Sequence, residues 1–326
     1  MIEITLGINQ SNQRLDKVLK KHLRAATGSF VYKMLRKKNI TLNGQKALGS
    51  EITVFGDRVQ FYLSDETYRK MRGETAAPDL SDLHFPEIPI LYEDSDVCIF
   101  VKPPGILSQK ATPYDISINE WVIFHARQSG AVSDSDFESF RPSVVNRLDR
   151  NTGGIMCAGL SIRGLQVLSE MFRERTVHKY YYALAAGQIT KEKEYRSWLV
   201  KDKKSNMVRI YPFQMKNSEP IHTAAWPLRI YSDRTLLLVE LFTGKSHQIR
   251  AQLAAAGHPL LGDPKYGDPA KNRAYGLNMQ CLYACRIEFP EDSRLPALSG
   301  RILETEAPSN WPLGTAEDYE APPLRR

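Results

Sequence analysis

The stretch Asn146-Arg147-Leu148-Asp149-Arg150-Asn151-Thr152-Gly153-Gly154 holds the chemistry this chain advertises most clearly. One carboxylate, Asp149, stands between two arginines, and a turn of Asn, Thr and two glycines follows. A nearby positive charge keeps a carboxylate ionised and ready to act as a nucleophile or an electrostatic partner. Glycine has no side chain and accepts positive φ, so the backbone here can bend sharply and approach a ligand. The apolar run Ile155-Met156-Cys157-Ala158 reads as a buried strand, which puts Asp149 at a strand–loop edge. A salt bridge that only pins the turn fits the same residues, because structural ion pairs are common.

The elements that must position Asp149 form a mixed pattern without a regular βαβ alternation. Helices are expected at Ile116 to Gln128 and Ser161 to Arg175, and strands at Val97 to Val101, Tyr180 to Ala185 and Leu236 to Phe242. A third helix starts at Ser246, runs to Ala256 and stops at Gly257, a good C-cap residue. This predicts an α+β domain with a mixed or antiparallel sheet.

Three further segments bear on the chemistry. The first is Leu91-Tyr92-Glu93-Asp94, followed by Val97 to Val101 and Lys102-Pro103-Pro104-Gly105. The second is Val177-His178-Lys179-Tyr180-Tyr181-Tyr182-Ala183-Leu184. The third is Phe242-Thr243-Gly244-Lys245-Ser246-His247-Gln248-Ile249-Arg250, continued by Ala256 to Gly267. With the Asp149 segment between the first and second, they resemble the RluA family of pseudouridine synthases over roughly residues 86 to 290.

The resemblance implies a pseudouridine synthase catalytic domain, and a catalytic role for three residues. Asp149 occupies the position of the family's catalytic aspartate. Arg250, in Gln248-Ile249-Arg250, matches the basic residue that pairs with it. Tyr181 matches the active-site tyrosine, in the frame Lys179-x-Tyr181-x-Ala183. Arg147 resembles the arginine that enters the RNA helix where the target base leaves it. From the residues alone, Arg250 is equally an arginine on a helix surface and Tyr181 a strand aromatic in the core. Arg147 is equally a partner of Asp149 or a phosphate contact. Strand alternation sends Tyr180 and Tyr182 to the face opposite Tyr181, while Ile249 and Leu253 are expected to face the core. Three departures stand out: Asn146 where the family commonly has His, Gly153 in a common Thr-Ser-Gly, and Lys245-Ser246 in the usual Gly-Arg-Thr-His.

Converting uridine to pseudouridine detaches the base from its glycosidic nitrogen, turns it and rejoins it through a ring carbon. Nothing is oxidised and no group is donated, so no cofactor and no metal is expected. The sequence has no Walker-type phosphate loop. Its four cysteines, Cys98, Cys157, Cys281 and Cys285, lack a histidine at zinc-ligand spacing and read as free, mostly buried thiols of a reducing cytosol.

Charge is unevenly placed. Between Arg14 and Lys38 stand Arg14, Lys17, Lys20, Lys21, Arg24, Lys33, Arg36, Lys37 and Lys38 against Asp16 alone. That window carries +8 of a net charge of +7, which leaves −1 for the rest of the chain. A basic module on a near-neutral body suggests attraction to a polyanion, most often nucleic acid; a solvated lysine-rich face is the alternative. Leu15, Val18, Leu19 and Leu23 form the apolar stripe of a helix over 12 to 24. Gly28-Ser29 breaks it, with Ser29 placed to cap a second helix holding Val31, Met34 and Leu35. Strands follow at Ile40 to Leu42 and within Ile52 to Leu63, with Asn43-Gly44 as a turn. This small α/β module resembles the alpha-L RNA-binding motif. A second Arg-Leu-Asp, Arg14 to Asp16, lies at a helix start without the glycine turn and reads as capping and charge pairing.

The 326 residues therefore divide into an RNA-binding module at 1–75, a linker at 76–88 and a catalytic domain at 89–326. Residues 64 to 88 show little periodicity, and Ala76-Ala77-Pro78-Asp79 is their least structured part by composition. The tail from Ala307 to Arg326 is polar and contains proline. The opening Met1-Ile2-Glu3-Ile4-Thr5 is not a signal peptide, and no apolar run reaches a membrane span, so a cytoplasmic monomer is expected. Structured RNA is the expected partner, with large-subunit (23S) ribosomal RNA the substrate by analogy with family members that carry this module. Transfer RNA, or a non-catalytic role in RNA binding or ribosome assembly, are the alternatives. A glycoside or nucleoside hydrolase would want a second carboxylate as general acid, and none stands out near Asp149.

Overall fold

The computed structural model describes residues 1–73, 85–112, 114–132, 137, 140–202, 207–306, 309 and 311. The first seven elements are β1 (Ile2–Thr5), α1 (Leu15–His22), α2 (Gly28–Arg36), β2 (Ile40–Leu42), β3 (Gln45–Lys46), β4 (Arg58–Phe61) and α3 (Asp65–Arg72). Their strands pair in the order β1-β4-β2-β3. The apolar stripe of α1 and the Val31, Met34 and Leu35 face of α2 close over Ile40, Val59 and Phe61 in one cluster. The amphipathic spacing thus becomes a core. Asn43 and Gly44, both at positive φ, make the tight turn between β2 and β3.

Three local expectations need correction. The cap of α2 is Thr27, whose hydroxyl accepts from Phe30 N at 3.2 Å, so Gly28 and Ser29 lie inside the helix. Arg14 stands at the cap position of α1 with no side-chain capping bond; Asp16 does pair with it, at 3.0 Å. Residues 65–72 are helical, because Ser64 caps α3 by accepting from Thr67 N, and Tyr68 is buried against Phe61 and His22. The sequence Ala76-Ala77-Pro78-Asp79 lies outside the described residues, as does most of the tail.

The remaining elements are β5 (Ile90–Glu93), β6 (Val97–Lys102), α4 (Ile118–Gln128), β7 (Ser143–Val144), β8 (Gly153–Gly159), α5 (Ile162–Glu174), β9 (His178–Ala186), β10 (Lys193–Asp202), β11 (Met207–Tyr211), β12 (Glu219–Ile230), β13 (Arg234–Leu241), α6 (Gln248–Ala255), α7 (Pro269–Ala274), β14 (Leu282–Glu288) and β15 (Ile302–Glu304). They build one 11-stranded sheet whose main order is β11-β10-β12-β13-β9-β14-β8-β6-β5. Its strand pairs are antiparallel except β14 with β8. This is the mixed sheet of an α+β fold. Helices α4 and α6 cover one face, where Trp121, Val122, Ile249 and Leu253 meet Tyr181 and Ala183. Helix α5 covers the other, where Leu168 and Met171 meet Ile155 and Cys157. Tyr180 packs on a different cluster from Tyr181, as alternation along β9 requires.

The glycine pair after Asp149 serves the sheet. A Cβ on Gly154, at φ +114°, would stand 2.2 Å from the carbonyl oxygen of Ala284. A Cβ on Gly153 would stand 2.9 Å from the Tyr283 ring. These glycines admit β14 against β8, where the sequence pattern had suggested close approach to a ligand. Among the described residues, no helix is long and apolar enough to cross a membrane.

Candidate active site

Asp149 lies in the loop between β7 and β8, and buried groups clamp the backbone on both sides of it. Lys102, at the end of β6, is fully buried, and its ammonium donates to the carbonyls of Pro103 (2.8 Å), Ile106 (2.8 Å) and Arg150 (3.0 Å). Burial pushes this lysine down to about 7, while the carbonyls and the charge of Asp149 favour the ammonium form. Ser108 donates to the carbonyl of Leu148 at 2.8 Å and accepts from its N–H at 3.0 Å. Thr152 N–H closes the turn onto the Asp149 carbonyl at 3.0 Å. Lys102 and Ser108 therefore do the pinning that the flanking arginines had suggested. Among the described residues, neither Arg147 nor Arg150 pairs with Asp149: Arg150 donates to the Gly105 carbonyl, and Arg147 is exposed at the cleft.

The partner of Asp149 comes from 101 residues away. Arg250 Nη1 donates to Asp149 Oδ2 at 2.6 Å. The rest of the guanidinium is held by Asp263: Nε to Oδ2 at 2.7 Å and Nη2 to Oδ1 at 2.8 Å. Such a two-pronged pairing fixes the plane of the guanidinium as well as its charge. The side chain of Arg250 is 5% exposed, that of Asp263 0% and that of Asp149 25%. Arg250 is thus no surface arginine. It is a buried bridge that presents one N–H to the half-exposed carboxylate.

Protonation follows from these contacts. Burial alone would push the Asp263 carboxyl up; Arg250 and the N–H groups of Lys265 and Tyr266 outweigh it and hold the group below the usual carboxylate value. Burial works against the charge of Arg250 too, but the two carboxylates raise it above the ordinary arginine value. Burial, and then the charge of Asp149, push the Tyr181 phenol up, so it stays protonated near neutrality. Burial pushes the His247 imidazole down. His247 sits at φ 55°, in the left-handed region, bonded to Tyr266 Oη at 2.9 Å, with Nε2 4.0 Å from Asp149. A non-glycine residue held there marks stored strain, which concentrates at functional sites.

Asp263→Asn is expected to destabilise the fold by about 3 kcal/mol, the lower end for breaking a buried ion pair, because Arg250 keeps Asp149. The native carboxyl is depressed, so its contribution is complete above its unfolded pKa of about 4 and is lost as pH falls through the folded value. Thermal melts from pH 3 to 7 test this. The gap between wild type and variant should narrow in acid, and a constant gap would contradict the pairing.

Asp149, Tyr181 and Arg250 line one open cleft with a cavity volume of about 200 Å³, together with Leu148, Leu241, Ile249 and Leu282. Gln248 secures the start of α6 by accepting from Thr243 Oγ1 and donating to Thr223 Oγ1, both at 2.9 Å. The helix begins at Gln248, two residues later than its sequence suggested, because His247 takes the cap position. The nine cations of the basic window do not reach the cleft. All nine are exposed on or beside α1 and α2, whereas Asp16 is buried and bonded to Tyr32 and Arg14.

An RNA pseudouridylate synthase family matches residues 96–255, a span that holds the Asp149 loop, Tyr181 and Arg250. A Vibrio cholerae serotype O1 protein named Ribosomal large subunit pseudouridine synthase C is 30% identical over 316 residues, covering 94% of this chain and 92% of its own. The chain belongs to the RNA pseudouridylate synthase family. It is an isomerase that converts uridine to pseudouridine in RNA. The Escherichia coli K12 pseudouridine synthase of the same name is 26% identical over 316 residues, with 94% and 92% coverage. The human RNA pseudouridylate synthase domain-containing protein 4 shares the fold, with a TM-score of 0.54 at 20% identity over 68% of this chain and 89% of that one.

Within this pseudouridylate synthase, sequence reasoning gave no role to Asp263, Lys102, His247 or Tyr266. The first lies in Gly262-Asp263-Pro264, and its only sequence signal was an acid near Arg250 in a glycine-bounded turn. Outside the cleft, Glu93, Cys98 and His125 bring three ligand-type atoms within 4.8 Å of one another. They are joined by a 2.6 Å bond between His125 Nε2 and Glu93 Oε2 and line no part of the cleft.

Proposed function

We propose that this enzyme isomerises uridines in large-subunit ribosomal RNA, with Asp149, Tyr181 and Arg250 as its catalytic residues. The observation that carries the catalytic assignment is the fixed Asp149–Arg250–Asp263 chain at the base of the cleft lined by Tyr181. The names of the relatives support the ribosomal substrate. In the reaction the bond from the sugar to the base nitrogen breaks, a bond from the sugar to ring carbon 5 forms, and the proton on that carbon leaves. The nitrogen that was freed ends protonated. Asp149 supplies the negative charge for the displaced sugar–base bond, and Arg250 keeps that charge aimed. Tyr181 lays its ring against the base, with a protonated hydroxyl at hand. A base must leave the RNA stack to reach this floor, and Arg147, exposed at the rim, is placed to fill the gap it leaves.

The exposed cations Arg14, Lys17, Lys20, Lys21, Arg24, Lys33, Arg36, Lys37 and Lys38 supply RNA affinity from a module at 1–75, joined through 76–88 to the catalytic domain at 89–326. Their uniform exposure, with Asp16 turned inward, supports this reading. The enzyme acts as a cytoplasmic monomer, and the reaction requires no metal or other cofactor.

The test is release of tritium from ribosomal RNA labelled at uracil carbon 5, with a check for free base. Release without free uracil is expected. Free uracil would point to a hydrolase, and no release from ribosomal RNA but release from transfer RNA would move the substrate.

Tyr181→Phe is expected to lower turnover about 10²–10⁴-fold, the range for losing one proton-handling group. Affinity for RNA and thermal stability should hold, since only a hydroxyl is removed and it makes no hydrogen bond among the described residues. Single-turnover rates at saturating RNA check it. A variant as fast as wild type would leave Tyr181 a stacking surface and nothing more.

A further inference from the structure

The cleft continues past Asp149 into a second lobe of about 340 Å³ that shares Asp149 and Arg250 with the first. The first lobe carries Tyr181, Leu241, Ile249 and Leu282, which the second lacks, among polar groups that include Arg147, Lys245 and His247. The second lobe is lined by Arg147, Arg150, Lys201, Arg250 and Lys265 against a single carboxylate, Asp149, and by no Tyr, Phe or Trp. Its cations arrive from separate parts of the chain. Lys201 stands on β10, Arg150 on the loop of Asp149, and Lys265 just after Asp263. With Arg250 neutralised between Asp149 and Asp263, the cations that set the sign of this depression are Arg147, Arg150, Lys201 and Lys265.

We propose that this second lobe is a phosphate subsite, which holds the RNA backbone beside the target nucleotide through Lys201 and Lys265. The inference rests on the isomerase reading above and deepens it. A nucleotide has a neutral half, the base, and an anionic half, the phosphate, with the sugar between them. A carboxylate that acts on the sugar–base bond must face that junction. Asp149 lines both lobes, Tyr181 only the first, and Lys201 and Lys265 only the second. A base seated against Tyr181 therefore leaves its sugar at Asp149 and its phosphate over Lys201 and Lys265. Lysine suits this task because it meets a phosphate as a point charge and tolerates small changes of angle. The arrangement makes the anionic flank part of the docking geometry, so a uridine inside a chain is favoured over the free nucleoside.

The experiment measures RNA affinity across a salt series, using a ribosomal RNA fragment that the wild type modifies. Lys201→Gln and Lys265→Gln should each flatten the log Kd against log salt line by about 0.7–0.9, the loss of one phosphate contact. Arg173→Gln, on α5 and lining neither lobe, removes one positive charge elsewhere and should keep the wild-type slope. Inorganic phosphate should compete with RNA for the wild type and lose potency against the double lysine variant. Wild-type slopes in both lysine variants would overturn the subsite, and so would an equal loss in Arg173→Gln. Pseudouridine formation by the wild type alongside such slopes would sink the subsite alone. No pseudouridine from the wild type would sink the functional reading with it.

Discussion

Asp149→Asn is expected to cut pseudouridine formation by at least about 10⁴-fold, the scale seen when the reacting group of an enzyme is removed. The substitution keeps the shape of the side chain and removes its charge. The surrounding loop should hold, because Lys102, Ser108 and Thr152 fix the backbone through main-chain atoms and not through the carboxylate. RNA affinity should stay within a few-fold of wild type, or tighten, since the change deletes a negative charge from a cationic cleft. Mass-resolved nucleoside analysis of treated RNA, beside a binding titration, tests both halves. Turnover within tenfold of wild type would remove Asp149 from the chemistry. Loss of binding along with turnover would recast it as a structural residue.

The second large effect is expected at Arg250. Arg250→Ala should abolish measurable turnover and also lower stability by roughly 3–5 kcal/mol, because it strands the fully buried Asp263 carboxylate without a partner. Two further variants separate the effects. Arg250→Lys retains a charge but cannot reproduce the fork, so it should fold better than the alanine variant and remain slow. Arg250→Met with Asp263→Leu removes both members of the buried pair. Replacing such a pair by apolar groups is often neutral for stability, so this double variant should recover most of the lost stability and none of the activity. An active double variant would mean that Asp149 needs no guanidinium.

Much of this site was legible in the chain because its residues lie in short segments with strong local character. The glycines and the apolar run placed Asp149 at a strand–loop edge, and the family frame Lys179-x-Tyr181-x-Ala183 singled out Tyr181, which alternation along β9 alone leaves as a core aromatic. The residues nearest Asp149 suggested partners that the structure does not give: Arg147 turns outward and Arg150 is spent on the Gly105 carbonyl, while Arg250, the partner that the family resemblance implied, makes the bond. Asp263 was illegible for a related reason: an acid in a glycine-bounded turn looks like a turn former until the fold carries it to Arg250. Lys102 was hidden because a lysine is rarely fully buried, and only three converging carbonyls make that burial tolerable. Helix α3 was missed since a polar eight-residue helix has almost no apolar rhythm; one residue, Tyr68, anchors it.

The single parallel seam in the large sheet has a consequence for the timing of assembly. Strands β8 and β9 are neighbours in sequence, but β14 lies between them in space. The loop bearing Asp149 and the strand bearing Tyr181 are therefore joined through residues 282–288, which leave the ribosome more than a hundred residues after Asp149. Such long-range closure is slow, because the entropy of a large loop is lost before its contacts form. A nascent chain stopped before β14 would carry Asp149, Tyr181 and Arg250 and an open gap in the middle of its sheet. Catalytic competence thus arrives late in synthesis, with insertion of one seven-residue segment.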